Sequence, residues 1–252
     1  MSTLLIRLAA PLQSWGIDSK FERRNTGRTP SKSGVVGLCA AALGYNRRED
    51  EKIKKLAGLR FGVRVDNPGT LQKDFHMAHE ESFWDSSDRT TINRDKKASS
   101  YLTMRYYLSD AVFLVGLEGD EGFLMDIDEA LRFPRYPLFL GRRGCPPEGH
   151  VALGVVSDSL KESLERYPRL AITRSSKPAE KNLRILVDAE KRGSEFNRGV
   201  YLLRDLPLSF NPEHRKYDLR TVCEYDANIS QMVENIESHD AFAAVEEVLP
   251  CI

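Results

Sequence analysis

The order in which strand-like and helix-like segments alternate over residues 1–156 constrains the fold of this chain more than any other feature. Residues 3–8 are apolar, β-branched or alternating apart from Arg7, and Ala9-Ala10-Pro11 ends what reads as a first strand. Ser31 or Ser33 can cap a helix with its body at 34–43 and its stop at Gly44. Its small residues, Gly34, Gly37 and Ala40 to Ala42, permit close approach to a sheet or a ligand. The charged stretch 47–55 predicts a second short helix, and 59–65 alternates with Phe61, Val63 and Val65 on one face. Residues 101–108 and 111–117 read as a hairpin around Ser109-Asp110, 126–133 as a helix and 151–156 as a closing strand. Strand, helix, strand, strand, helix, strand is the order of a ferredoxin-like or RRM-like unit, so the fold class expected is α+β.

Two regions fall outside that rhythm. Residues 67–100 are polar with aromatics interleaved, too long for an idle connection inside a compact domain. Past 156, residues 183–187 and 199–203 read as paired strands, 205–220 as a surface loop with two prolines, and 229–249 as a segment of helical spacing.

Composition removes several classes. Among 252 residues, 41% hydrophobic and 29% charged is the balance of a soluble globular protein rather than a disordered one. Four scattered cysteines without a C-x-x-C exclude a zinc knuckle or a disulfide scaffold, and a reduced cytoplasm is the default location. The longest nearly apolar stretch, 34–44, is half of the roughly 20 residues a membrane span needs, so no membrane association is expected. Arg7 interrupts the N-terminal apolar segment, which speaks against a signal peptide.

Net charge is zero, but by cancellation. Residues 224–252 hold seven acids and no Lys or Arg, leaving 37 basic against 30 acidic residues before them. A basic body of this kind can meet a polyanion while the acidic end docks on a protein or folds away; a solvated terminal helix explains the pattern equally well.

The chemistry-bearing clusters point the same way. GRTPSKSG at 27–34 lacks the glycine before the lysine that a phosphate-binding P-loop requires, so nucleotide hydrolysis is not expected. Lys20, Arg23, Arg24, Arg28 and Lys32 nonetheless outnumber Asp18 and Glu22 just before a helix N-terminus, whose free N–H groups suit an anion. Either a nucleic-acid backbone site or a solvated basic loop fits. In RYPLFLGRRGCPP at 135–147, Gly141 and Gly144 bracket Arg142 and Arg143, so a close-wrapping backbone can aim two guanidiniums at a phosphate, with Tyr136 and Phe139 as stacking surfaces. His76 and His79 stand three apart without further ligands, so neither a metal site nor a cofactor is expected. His76 can serve as a general acid or base in RNA cleavage, or simply stack and hydrogen-bond.

Six blocks together resemble one family: LLIRLAAPLQSWG at 4–16, GRTPSKSGVVGLCAAALG at 27–44, DFH at 74–76, TMRYYLSDAVFLVGL at 103–117, PRYPLFLGRRGCPP at 134–147 and DLPLSFNPEHRKYDLRTV at 205–222. They resemble the CasD family, the RAMP-superfamily subunit of the subtype I-E CRISPR Cascade complex. The resemblance implies a ferredoxin-like RAMP domain at 1–146 with a thumb-like insertion at 67–100, and a small β-rich C-terminal domain at 147–223. An acidic helical extension at 224–252 departs from the family pattern.

It also implies a cytoplasmic, non-catalytic subunit in antiviral defence. Such a subunit holds the 5′ handle of the CRISPR RNA, ends the filament of backbone subunits, contacts the large subunit and meets target DNA only through the complex. By position, Arg24, Arg28, Lys32 and Ser33, and the loop Gly141, Arg142, Arg143 and Gly144, would meet the handle; His76 and Arg105 would lie at the thumb's two bases. The rival is a metal-independent endoribonuclease, as in a subtype I-C relative, using His76 with Lys96, Lys97 or Tyr45.

Overall fold

Two mostly apolar segments, 2–9 and 112–119, are buried on both faces along nearly their whole length, which suits strands inside a sheet covered on both sides. The computed structural model describes residues 1–16, 22–79, 100–170, 182–189 and 198–229. In chain order its elements are β1 (Ser2–Ala9), β2 (Leu12–Gln13), β3 (Arg23–Arg24), α1 (Lys32–Leu43), α2 (Asp50–Ala57), β4 (Arg60–Asn67), β5 (Thr70–His79), β6 (Ser100–Ser109), β7 (Val112–Gly119) and α3 (Glu121–Arg132). There follow β8 (Ala152–Val156), α4 (Leu160–Arg166), β9 (Asn182–Asp188), β10 (Gly199–Ser209) and β11 (Lys216–Asn228). The fold is α+β, with a seven-stranded antiparallel sheet in the order β10-β11-β9-β4-β7-β1-β8.

Both faces of that sheet are covered. Leu4, Ile6 and Leu8 of β1, Phe61, Val63 and Val65 of β4, and Phe113, Val115 and Leu117 of β7 pack in one core with α1, α2 and α3. Leu5 and Leu114 point the other way and pack with Leu160 and Leu164 of α4. That short helix lies close because Gly62 and Gly116, cross-strand neighbours, sit beneath it; a Cβ on them would come within 2.7 Å of Leu164 and 2.5 Å of Leu160. Ser159 and Glu162 start α4 with a capping box, a signal legible in the sequence but not used there.

The first helix forms as expected: Ser31 accepts from the Gly34 N–H, and Gly44 ends it with φ 75°. α3 begins at Glu121, five residues before its expected start, because Asp120 caps it by accepting from Phe123 N–H. Three other expectations are corrected. β6 and β7 do not form a hairpin: β7 enters the large sheet between β1 and β4, whereas β6 pairs with β5. The reason is burial, since β7 is buried along seven of its eight residues and β6 carries polar residues on one face. Asp110, with φ 56°, turns the chain between the two sheets.

β9 and β10 do not pair with each other; both flank β11, and the expected 205–220 loop is strand at both ends, in β10 up to Ser209 and in β11 from Lys216. Pro207 is tolerated because β10 is an edge strand and its register slips there. Strands β9 to β11 therefore continue the sheet begun at β1 instead of building one of their own. The expected acidic extension starts too early as well: residues 224–228 are strand. Glu224 is buried against Arg184 at 2.6 Å and accepts from the Tyr201 hydroxyl at 2.8 Å, while Asp226 pairs with Arg198 at 2.7 Å. Burial, reinforced by Glu224, pushes the Tyr201 hydroxyl up to about 12. The remainder of the extension, from 230, lies outside the described residues.

Arg64 is fully buried on the α4 side of β4. It holds Asp66 through two bonds, at 2.6 and 2.8 Å, and donates to the carbonyls of Leu164, Tyr167 and Pro168, the unpaired acceptors at the end of α4. Arg64→Ala removes the counter-ion of buried Asp66, leaving it the Leu170 N–H at 2.6 Å, and should cost about 3–5 kcal/mol in denaturant unfolding; a loss under about 1 kcal/mol would contradict this role.

Candidate nucleic-acid interface

A second, smaller sheet is assembled around β6. β5 runs antiparallel to it over its whole length, β2 pairs with its end, and β3 lies parallel beside its middle. Residues opposite each other across strands share a face, and alternate residues do too. The register sets Arg24 beside Arg105, Asp74 opposite Arg105, His76 opposite Thr103, and Gln72 opposite Tyr107. One face thus carries Arg24, Arg105, Tyr107 and His76, with Asp74 as its acid.

The glycine-bracketed loop closes over that face. Ser14 N–H donates to the Leu140 carbonyl at 3.0 Å, Leu140 N–H to Cys145 at 2.7 Å, and Cys145 N–H to Arg142 at 2.9 Å. Gly141, with φ 91°, presses on Ser14 so closely that a Cβ would collide with the Ser14 carbonyl oxygen. The loop delivers the Arg142 guanidinium onto the Tyr107 ring, 4.5 Å from its centroid, with Nη2 donating to the Arg24 carbonyl at 2.9 Å. Its Nη1 is shielded and has no hydrogen-bond partner among the described residues. Arg143, next to it, is exposed, and Gly144 lines an open cleft with Gln72, Asp74 and Tyr107. Arg142 stacks and ties the loop to β3, Arg143 and Arg24 are exposed, and Arg105 is half-buried.

Not all expected site residues come together. Lys32 is a correction: it is 4% exposed, its ammonium pairs with Asp188 at 2.8 Å, and Asp188 also holds Arg220 at 2.6 Å. The start of α1 is filled from within, since Lys32 N–H donates to Asp205 at 2.8 Å and Asp205 pairs with Arg220. Burial opposes the Arg220 charge, but Asp205 and Asp188 outweigh it and hold its pKa above the ordinary value. Ser33 lies in that same first turn, 3.3 Å from the Ser31 hydroxyl. Arg28 is exposed on the loop leading into α1, with no bond to the second sheet among the described residues.

Of the two stacking residues expected, Phe139 is half-buried and Tyr136 stands apart from the arginines. Tyr136 is exposed at the far end of α1, where its N–H meets the Ala41 carbonyl, and Tyr107 takes the place beside the arginines. The Arg105-x-Tyr107 alternation was the available signal; the register that joins it to Arg24 and Arg142 is not local. Trp15, from the same loop as the early cations, is a core residue 1% exposed, donating to Gln13 at 3.1 Å.

Burial pushes the Cys39 thiol up to about 12 and raises that of Cys145. Among the described residues no group of three His, Cys, Asp or Glu is placed to hold a metal, and no helix is long and apolar enough to cross a membrane. Tyr45 sits past the end of α1 under Lys52 of α2, while His76 is on β5; Lys96 and Lys97 lie outside the described residues.

The fold and this face define an α+β protein that presents arginines and a stacked aromatic on a small auxiliary sheet. The family model described as CRISPR-associated protein (Cas_Cas5) matches residues 3–223. The Cascade subunit CasD of Escherichia coli K12 is 33% identical over 183 residues, 66% of this chain and 78% of that protein. A crystal structure of a Cas protein is 38% identical with a TM-score of 0.69, covering 93% of this chain and 100% of the other. A chain of a CRISPR RNA-guided surveillance complex is 32% identical with a TM-score of 0.71, covering 90% of each. The protein belongs to the CasD/Cas5 family of CRISPR-associated proteins.

Because Lys32 is internal, Lys32→Ala should lower stability by about 2 kcal/mol and leave the RNA affinity of the folded protein within about twofold. A large affinity loss at unchanged stability would return Lys32 to the interface.

Proposed function

We propose that this protein is a non-catalytic CRISPR RNA-binding subunit of a type I-E Cascade complex, which holds the 5′ handle of the guide and caps the filament of backbone subunits in antiviral defence. The observation that carries the reading is the convergence of Arg24, Arg105, Arg142 and Tyr107 on one face of the second sheet, in a chain of the CasD/Cas5 family. The related CasD is named as a Cascade subunit, and a similar chain comes from a CRISPR RNA-guided surveillance complex. RNA and other Cascade subunits, among them the backbone and large subunits, are accordingly the partners. Target DNA is reached through the complex, in the cytoplasm.

The topology supports a ferredoxin-like RAMP domain: β1, β4, β7 and β8 follow one another with α1 and α3 as crossovers and lie in the order β4-β7-β1-β8. The β5–β6 pair leaves this unit between β4 and β7 and serves as the thumb. His76 and Arg105 then lie along the thumb, not at its base. Arg24, Arg105 and Arg143 neutralise phosphates, and Tyr107, backed by Arg142, offers a stacking surface to an unpaired base. With three phosphates neutralised, log affinity for a single-stranded handle RNA should fall with log salt at a slope of about −2. Arg143→Ala should make that slope shallower by about 0.7; a salt-independent affinity would overturn the assignment.

The non-catalytic reading predicts intact repeat RNA after incubation with the purified protein and EDTA. Product that disappears with His76→Ala would establish the endoribonuclease instead.

A further inference from the structure

The open cleft beside the arginines is bordered by two exposed carboxylates, Asp74 and Asp110, that no cation among the described residues takes up. Asp74 stands opposite Arg105 in the register, yet the Arg105 Nε donates to the Thr103 hydroxyl at 3.3 Å. Lys73 borders the cleft as well, but its ammonium lies 4.7 Å from the Phe75 ring centroid, on the other face of the sheet. A free carboxylate repels a phosphate, and all it can do with a polar ligand is accept hydrogen bonds. Among arginines suited to phosphates, this cleft calls for a ligand group that donates.

Its other features suit a nucleobase. The cleft holds about 540 Å³ between β2, β5, β6 and the loop at Gly144, within the size range of small-molecule pockets. Tyr107 supplies an aromatic surface. Gln72, opposite Tyr107, supplies an amide that both donates and accepts. Alternate residues of β5 share a face, so Gln72 and Asp74 stand side by side along the cleft. Gly144 brings the loop of Arg142 and Arg143 to its rim, and Arg24 and Arg105 share the face.

The pattern of donors selects the base. A carboxylate offers two acceptors side by side and no donor. On the Watson–Crick edge, by which unpaired bases are read, guanine alone sets two donors next to each other, N1–H and the N2 amino group, with O6 left to accept. Adenine and cytosine put a ring-nitrogen lone pair beside their amino group, and uracil flanks N3–H with two carbonyls. Each of these turns a lone pair toward the carboxylate.

We infer that the cleft takes a guanine of the bound RNA, with Asp74 accepting from N1–H and the N2 amino group, the Gln72 amide donating to O6, and Tyr107, backed by Arg142, packing against the ring. Asp74 sets which base is accepted, while Arg24, Arg105 and Arg143 hold the strand. Asp110, beside Ser109, keeps phosphate out of the cleft. This role rests on the RNA-binding reading proposed above, to which it adds the identity of one base.

Fluorescence anisotropy tests it with the full-length protein, an eight-uridine RNA, and the same RNA with its fourth base replaced by guanine, hypoxanthine or adenine. The wild type should bind the guanine RNA at least about fivefold tighter than the uridine or adenine RNA, as a good bidentate base contact gives. Hypoxanthine, which keeps N1–H and lacks the N2 amino group, should bind at least about twofold weaker than guanine. Asp74→Asn should bring guanine, adenine and uracil within about twofold of one another and bind the uridine RNA at least as tightly as wild type, since a charge that repels phosphate is gone. Arg143→Ala should weaken all four RNAs alike and keep their ratios.

Equal wild-type affinity for all four RNAs, with its salt dependence intact, would overturn the guanine assignment and leave the RNA-binding reading standing. A guanine preference that survives Asp74→Asn would do the same, and weaker uridine RNA binding in that variant would make Asp74 a structural part of the sheet instead. Failure of the wild type to bind any of the four would overturn both.

Discussion

The register of β6 is the constraint on which the interface depends. As the central strand of the small sheet it must pair with β5 on one side and with β2 and β3 on the other, and each pairing adds a group to one face: Asp74 and His76 from β5, Arg24 from β3. Tyr107 on that strand is the surface on which Arg142 comes to rest, so the loop at 140–145 is positioned by β6 too. A shift of one residue would exchange the arginine face for the Phe75 and Met77 face. The alternation between a charged and an apolar side makes the β5–β6 pair a two-sided blade, whose sides call for different chemistry.

The large sheet's task is to hold that blade still, and it does so with buried ion pairs as much as with apolar packing. Arg64 and Asp66 join β4 to the end of α4, and Lys32, Asp188, Asp205 and Arg220 join the start of α1 to β9, β10 and β11. Each cation so used is withdrawn from the surface. A count of basic residues along the chain therefore overstates what an RNA can meet, and the +7 of the first 223 residues is partly spent inside the molecule.

Local signals carried much of the fold. Ser31 and Gly44 bounded the first helix, and the Phe61, Val63 and Val65 alternation marked β4, because each of these segments has its own period. What was not legible is pairing. Nothing within 101–117 states that β6 and β7 belong to different sheets, and nothing within 199–220 states that two strands flank a proline-bearing turn. The same limit governs the site. Arg142 and Arg143 stand out between their glycines, but Lys32 looks as exposed as Arg28 until Asp188 arrives from 156 residues away, and Tyr107 gains meaning only when Arg142 stacks upon it.

Photochemical crosslinking of the bound CRISPR RNA handle to the intact protein, with adducts mapped by peptide mass spectrometry, tests the central claim most directly. The account predicts adducts at Tyr107, in the Gly141 to Gly144 loop and around Arg24. Adducts confined to Tyr136 and Phe133, or to the Phe75 and Met77 side of the small sheet, would contradict it.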